Sequence, residues 1–535
     1  MRHGYTVLLL ILIAIPYVTA LQHDFVYDDH GSIVENPFLE ERSSFVRALT
    51  FRTLADPTIH DHGRPVVIVT YLIDRALWGL RPFGYHATNV LIHLANVLLA
   101  LVFFRRILLR DPDRPPSPFF LAATALLFGL HPVLTEAIQV PAFREDLLVT
   151  GFLLVFLIAG TSRGLRLTGA LPALVLALGS KESAVIGPAL LLWLWVAFPR
   201  ARPPKGQAAA IWLSSVAATA FFVGAWLRGG PLQASAPALK GLALPFPANL
   251  LTAPWLWLKT LRLLVMPFPL LADYVIDPVL SATDWRYAVG AATLVLTCTV
   301  ALTPVRRWPW LAFGAGWILL AFLPVSNLAP LYNPFAERYL YLPAAAFAML
   351  LGRAFRTVQP PRLRAFLLAG FCASYTAISS LRLTDWANDY TLWSRTLTEE
   401  PRSARAHTWL GLEMKKRGDY EEAYHCFRHA DQLKPQDVSA LINLGVLYAQ
   451  SGRIAEAERI FRKAVERRPD KADAHWNLGM ALHALGRDRE ASAEFARTLE
   501  IDPRHRAARA TLYISPAPPE EEAGTPSGAP TLTDH

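Results

Sequence analysis

ARAHTWLGLEMKKRGDYEEAYHCFRHADQLKPQD, residues 404–437, is followed by VSALINLGVLYAQSGRIAEAERIFRKAVERRPDK at 438–471 and ADAHWNLGMALHALGRDREASAEFARTLEIDPRH at 472–505. Laid under one another at a step of 34 residues, the three segments agree at Leu410-Gly411, Leu444-Gly445 and Leu478-Gly479. They agree again at Ala423, Ala457 and Ala491, at Phe427, Phe461 and Phe495, and at Pro435, Pro469 and Pro503. Small Gly and Ala let two antiparallel helices approach, the Phe is expected to fill the space between one pair and the next, and Pro ends the second helix.

A helix pair of this period is the tetratricopeptide pattern. Upstream, Pro401 stands 34 residues before Pro435 and Trp393 stands 34 before Phe427, so the chain enters the array through a half repeat at 384–403. The repeat domain therefore spans 383–510. The concave face of such a stack suits an extended peptide or a partner helix, and an acceptor polypeptide is expected on the face of 404–505. The tail at 511–535, rich in Pro, Ala, Gly and Glu, is expected to be disordered.

Everything before residue 382 has another character. The whole chain is 53% hydrophobic and 18% charged, with a mean hydropathy of +0.28, too apolar for a wholly soluble protein and too charged for a pure bundle of spans. The unevenness explains this, because the apolar blocks fall almost entirely in 1–382. Eleven stretches approach the length of a membrane crossing: 5–21, 87–104, 119–135, 147–161, 167–180, 184–199, 208–227, 287–303, 308–324, 340–352 and 364–381. The fold class is thus all-α: a polytopic transmembrane helix bundle followed by an α-solenoid, with a large first external loop at 22–86.

Arginines in alternate loops set the orientation. Arg2, then Arg105, Arg106, Arg110 and Arg114, then Arg163 and Arg166, then Arg200, Arg202 and Lys205, then Arg306 and Arg307, then Arg353, Arg356, Arg362 and Arg364 mark the cytoplasmic side. The alternation requires that Leu250–Leu271, which carries Lys259 and Arg262 inside its apolar run, lie along the interface. The N-terminus is then cytoplasmic, the first stretch an uncleaved anchor, and the repeats extracytoplasmic. The net charge of +9 resides largely in these loops, which points to membrane lipid and away from nucleic acid. Cys298, Cys372 and Cys426 are too scattered for a disulfide framework or a CxxC metal site.

On this topology several ionisable groups gather on the far side of the membrane. Asp28 and Asp29 follow the first stretch directly. HPVLTEAIQVPAFRED brings His131, Glu136, Arg144, Glu145 and Asp146; the tight turn at Lys181-Glu182 and the segment NPFAERYLYLP, with Glu337 and Arg338, add the rest. Ionisable groups at membrane depth mark candidate functional sites. A polar stripe, His86, Asn89, His93 and Asn96, falls on one helical face and is expected to hydrogen-bond between helices.

FVYDDHGSIVENP (25–37), RPVVIVTYLIDRALWGLRPFGYHATNVLIHLANVLLA (64–100), LLFGLHPVLTEAIQVPAFREDLL (126–148), LGSKES (178–183) and FLPVSNLAPLYNPFAERYLYLP (322–343), ahead of the repeats, resemble the transmembrane and tetratricopeptide-repeat O-mannosyltransferases, membrane enzymes of the GT-C fold. The resemblance runs from about residue 20 to 505 and is weaker between 205 and 285. It implies a polyprenyl- or dolichyl-phosphate-linked sugar as donor and protein Ser or Thr hydroxyls as acceptor. The family's acidic pair falls on Asp28 and Asp29, and its His-Pro and Glu motif on His131, Pro132 and Glu136. Where relatives read Gly-Arg-Ala-Asp this chain reads FRED, so Arg144 and Asp146 carry over and the Gly does not.

The chemistry of such a transfer needs a base on the hydroxyl and cations at the departing phosphate. Asp28 or Asp29 is the candidate base; Lys181 and Arg338, then Arg144, are the candidates at the phosphate, with His131, Glu136, Asp146 and Glu182 lining the site. Direct attack would invert the anomeric centre. No cofactor is required, although two adjacent acids also suit a divalent cation. A non-catalytic membrane scaffold and an enzyme acting on a glycan or lipopolysaccharide are the competing readings. The Arg- and Ala-rich bias favours a bacterial inner membrane over an endoplasmic reticulum.

Overall fold

The computed structural model describes residues 3–41, 43–56, 59, 61–109, 117–162, 164–229, 244–302, 305, 307–503, 505, 508 and 509. The tail at 511–535 lies outside them. Among the described residues all regular structure is helical. The chain divides into two compact units, Met1–Glu413 and Met414–His535. The half repeat, the helix Asp389–Glu399, and the first turns of the helix Ala404–Arg417 therefore group with the apolar part.

In the first unit, five helices are long and apolar enough to cross a membrane: Gly4–Gln22, Pro82–Ile107, Lys205–Arg228, Trp285–Leu302 and Pro361–Asp385. A sixth candidate is the bent pair Pro118–Gly129 and Pro132–Gln139, broken by 47°. The remaining five apolar stretches fall on shorter helices, from Arg144–Gly160 and Tyr341–Thr357 at 17 residues each to Ala170–Leu178 at 9. Nine residues rise only about 14 Å, half a hydrocarbon core. Proline shortens several of them: Pro188 and Pro309 each stand in the first turn of a helix, where a missing N–H costs nothing.

The bundle is held by close approach and by polar contacts. Pro118–Gly129 packs along Tyr341–Thr357, where a Cβ at Gly352 would sit 2.6 Å from Thr124 Oγ1. Three members of the polar stripe on Pro82–Leu108, Asn89, His93 and Asn96, bond between elements, whereas both ring nitrogens of His86 are buried without a hydrogen-bond partner among the described residues. His93 reaches the Tyr341 hydroxyl at 2.7 Å and the Gly129 carbonyl at 3.0 Å, while Asn96 donates to Leu147 O at 2.8 Å. Asn89 donates to Ile138 O at 3.1 Å and accepts from Arg144 Nε at 2.7 Å.

In the second unit the helix pairs are Ser439–Gln450 with Ile454–Arg467 and Ala472–Ala484 with Asp488–Ile501, preceded by Tyr420–Leu433. The repeated Phe does not sit where its spacing suggested. A Cβ on Gly445 would meet the Phe461 ring at 2.5 Å, and one on Gly479 the Phe495 ring at 2.5 Å. Each of these two rings thus packs within its own helix pair, over the bare face of the glycine. A further periodic signal joins them: Gly418, Gly452 and Gly486 all have positive φ, 83°, 74° and 74°, and turn the chain from first helix to second.

Candidate active site

Two proline breaks build the wall of the site. His131 is extended before Pro132, and Val140 before Pro141, so the segment 130–146 runs as three short helical pieces. This turns the Ala142 amide and the Phe143 ring toward the first loop and Glu136 toward Arg338. There Val26, Tyr27, Val140, Ala142, Phe143, Ala272, Trp386, Leu392, Trp393 and Ala406 form one small apolar cluster.

Tyr27 has left-handed backbone, φ 54°, a conformation bulky residues seldom adopt. It is held there from two sides. Its N–H donates to Asp389 Oδ1 at 2.9 Å, and its ring meets Trp393 at 5.1 Å, Trp409 at 5.8 Å and Phe143 at 6.0 Å. Asp389 also contacts His30 Nε2 at 2.6 Å.

The turn at Tyr27 gives the two acids opposite fates. Asp29 is 0% exposed. Its Oδ2 accepts from Val26 N at 3.1 Å and its Oδ1 from Ala142 N at 2.7 Å, pinning the first loop to the proline-broken segment. Burial pushes its carboxyl up to about 8 against the pull of those two amides. Asp28 is half-buried and makes no hydrogen bond or ion pair among the described residues. Burial pushes it above the usual carboxylate range, opposed by the Arg338 and Arg405 guanidiniums.

Arg338 is bound to Glu136 twice, by Nη1 at 2.5 Å and by its own backbone N–H at 2.9 Å. Its guanidinium lies 3.9 Å from the Phe143 ring centre and 5.3 Å from that of Tyr339. The same Tyr339 ring is 5.5 Å from Lys181 Nζ. Lys181 is committed to Asp146 at 2.5 Å and Glu145 at 3.6 Å. Arg64 joins this group, reaching Glu145 at 3.2 Å and Glu182 at 3.2 Å. Burial would raise the Glu182 carboxyl, but Arg64 holds it low.

A second network lies on the other side of Arg338. Glu337 accepts from the Leu271 amide and from Tyr274 OH at 2.9 Å, and Arg382 stands 3.5 Å away. Its Oε2 is enclosed without a partner, and burial pushes the group up to about 7. The residue before Tyr274, Asp273, holds Arg405 Nη1 at 2.8 Å and the Ser403 hydroxyl at 2.7 Å.

Asp28, Asp29, Glu136, Asp146, Lys181, Glu182 and Arg338 are thus brought into one neighbourhood. Arg144 and His131 are not. Arg144 is 0% exposed and spends its guanidinium on Asn89, Thr70, the Tyr85 carbonyl and Asp74, the last at 2.6 Å. It clamps helices and offers nothing to a phosphate. His131 caps the turn at Pro132, accepting from Val133 N at 3.3 Å, and meets Leu264 O at 3.0 Å. Tyr27, Phe143, Arg64, Asp273, Asp389 and Arg405 are the residues sequence reasoning passed over. Arg405 had been absorbed into the repeat pattern, and Phe143 was noted only as a missing glycine. Asp28 and Asp29 also differ as oxygen donors to a cation, since Asp29 has both oxygens on amides.

A bundle of apolar helices carrying this buried charge network, continued by helix-pair repeats, is an integral-membrane protein with a tetratricopeptide array. The tetratricopeptide repeat family matches residues 413–469 and 442–506. Over 80% of its length the chain is 28% identical to "Protein O-mannosyl-transferase F38B6.6" of Caenorhabditis elegans and 27% identical to "Protein O-mannosyl-transferase Tmtc3" of Drosophila melanogaster. It spans 63% and 55% of those two proteins. It is 25% identical to human "Protein O-mannosyl-transferase TMTC1", again over 80% of this chain and 55% of the relative. Among solved structures it is similar to "First TPR of Spaghetti (RPAP3) bound to HSP90 peptide SRMEEVD", 26% identical over 21% of this chain and 90% of that one, with a TM-score of 0.20. The family resemblance read from the acidic pair and the FRED segment is thus met by relatives, aligned over 80% of this chain, whose names are those of O-mannosyl-transferases.

Proposed function

We propose that this protein is a membrane glycosyltransferase that moves a hexose, mannose by its relatives, from a polyprenyl or dolichyl phosphate to Ser or Thr hydroxyls of polypeptides. The observation that carries this is the contrast within the acidic pair. Asp29 has both oxygens on backbone amides, whereas Asp28 has none and faces two guanidiniums. A carboxylate without hydrogen-bond partners, drawn toward its ionised form by two guanidiniums, is what a general base across the sugar from a departing phosphate requires.

In this reading Asp28 takes the proton of the acceptor hydroxyl as its oxygen attacks the anomeric carbon, and Asp29 positions the loop. Arg338, fixed by Glu136 and by the Phe143 ring, faces the phosphate. Lys181 and Arg64, each paired with two or more carboxylates, hold the wall and set its charge. Attack opposite the leaving group inverts the anomeric centre.

The loop arginines favour a transfer site and repeats on the extracytoplasmic side, with the second unit recruiting the acceptor. A bacterial inner membrane fits the composition. No metal is invoked, because two guanidiniums already meet the phosphate charge.

The test is purified full chain with mannosyl polyprenyl phosphate and envelope proteins, read by mass spectrometry for hexose on Ser or Thr. The parent should add hexose and Asp28→Asn should not. Donor left unconsumed by the parent would point to a scaffold, and sugar found on lipopolysaccharide instead of protein would move the acceptor.

A further inference from the structure

We infer that Arg405, on the helix that opens the repeat array, is a second phosphate-binding residue of the transfer site, working with Arg338 to hold a lipid phosphate ester. The inference rests on the proposed reaction and adds a residue from a helix that the repeat pattern assigns to protein binding.

Three pairs of chain neighbours bring the two guanidiniums together. Asp273 holds Arg405 while the adjacent Tyr274 holds Glu337, the neighbour of Arg338. The Arg405 guanidinium lies 5.0 Å from the ring centre of Tyr332, on the same loop as Arg338. One turn along its own helix, Trp409 packs against Tyr27, the neighbour of Asp28, and stacks on Trp393 at 6.0 Å and 11°. Both arginines act on Tyr27 and on Asp28.

Each guanidinium is half used. Arg405 gives Nη1 to Asp273 and Arg338 gives Nη1 to Glu136; the Nε and Nη2 groups of both make no hydrogen bond among the described residues. The Arg405 side chain remains 16% exposed and that of Arg338 9%. A single carboxylate neutralises each cation and fixes its plane, leaving donors for a tetrahedral anion with several oxygens.

The charge balance of the reaction calls for two. The donor is a phosphodiester with one negative charge. When the hydroxyl oxygen bonds to the anomeric carbon, the bond from that carbon to the phosphate oxygen breaks and its electron pair stays on the phosphate. The hydroxyl proton passes to Asp28, and the lipid leaves as a monophosphate with a second negative charge. A second guanidinium at that oxygen is more useful in the transition state than in the ground state.

The probe is farnesyl monophosphate, with inorganic phosphate and farnesol as comparison ligands, binding to purified full chain. Arg405→Gln should raise the dissociation constant for farnesyl monophosphate at least tenfold with the melting midpoint unchanged. Farnesol binding should stay level, and Arg405→Lys should recover part of the loss. Asp273→Asn breaks the same ion pair but keeps the guanidinium, and should bind the monophosphate no more weakly than the parent. Inorganic phosphate alone should bind far more weakly than the ester; equal affinity for both would overturn the lipid assignment. An unchanged constant in Arg405→Gln, or equal weakening of farnesol, would overturn the role of Arg405. A parent that binds the ester through Arg405 but transfers no sugar would instead defeat the proposed reaction and leave this site standing.

Discussion

Phe143 lies flat against Arg338, the guanidinium carbon 3.9 Å from the ring centre. The same ring meets Tyr27 at 6.0 Å, so one side chain spaces the acidic loop from the cation that faces it. A glycine at this position, as the relatives' pattern carries, would leave that spacing to other atoms.

The two acids should separate cleanly on mutation. Asp28→Asn is expected to lower turnover by about a hundred- to ten-thousandfold, the usual worth of a positioned base, without moving the melting midpoint. Asp29→Asn places an amide nitrogen against a backbone N–H and should cost about 1–3 kcal/mol of stability. Initial rates and thermal unfolding on the same preparations check both. Equal loss of turnover at equal stability would undo the division of labour.

Acid and alkali should act through different members of the pair. Asp28 works only when ionised, and burial raises its pKa, so the acid limb of kcat/KM should lie above the ordinary carboxylate range near 4. Burial pushes the Asp29 carboxyl up to about 8 in the folded chain, against about 4 for a free aspartate. The folded state therefore binds that proton more tightly than the unfolded chain. Its contribution is whole below about pH 4 and is lost as pH rises to about 8. The melting midpoint should decline across that window, and Asp29→Asn should flatten the decline. A profile with the same slope in the variant would refute the assignment.

Arg144 and Arg338, alike in type and burial, should fail differently. Arg144→Met leaves Asp74 buried and unpaired and should cost about 3–5 kcal/mol. In whatever fraction folds, the KM for lipid-linked donor should match the parent. Arg338→Lys keeps the charge but loses the planar contact with Phe143, and should raise the donor KM several-fold. A higher donor KM in Arg144→Met would return that residue to the phosphate.

Much of this architecture was readable because it is periodic. The 34-residue step fixed the repeats, and the spacing of His86, Asn89, His93 and Asn96 fixed a face. The site was less so, because it is built from loops whose folding depends on distant partners. Nothing local in FVYDD says that Tyr27 takes left-handed backbone; Asp389, 362 positions later, holds it there. Arg144 reads in sequence as a further loop cation behind Lys181 and Arg338, but Asp74 and Asn89 enclose it. The eleven apolar stretches were counted by composition, which does not register how early Pro132, Pro188 and Pro309 restart a helix.

Removal of the repeats should spare chemistry only if the cut is placed with care. Deleting 418–505 retains Arg405 and Trp409 and should leave turnover of a short Ser- or Thr-containing peptide within about threefold, while transfer to a full-length acceptor falls more steeply. Deleting 404–505 removes both and should abolish transfer to either. Rates of the two truncations on the two acceptors decide it; identical behaviour would mean that Ala404–Arg417 serves the array alone.

The positive φ at Gly418 turns the chain just past the point where the first compact unit ends. Upstream of it the first turns of Ala404–Arg417 belong to the same compact unit as the candidate site, whereas the helix pairs beyond it belong to the second. Lineages could then lengthen, shorten or exchange the array to change clients while keeping one reaction, and a laboratory chimera grafted at this glycine would repeat that history in a single step.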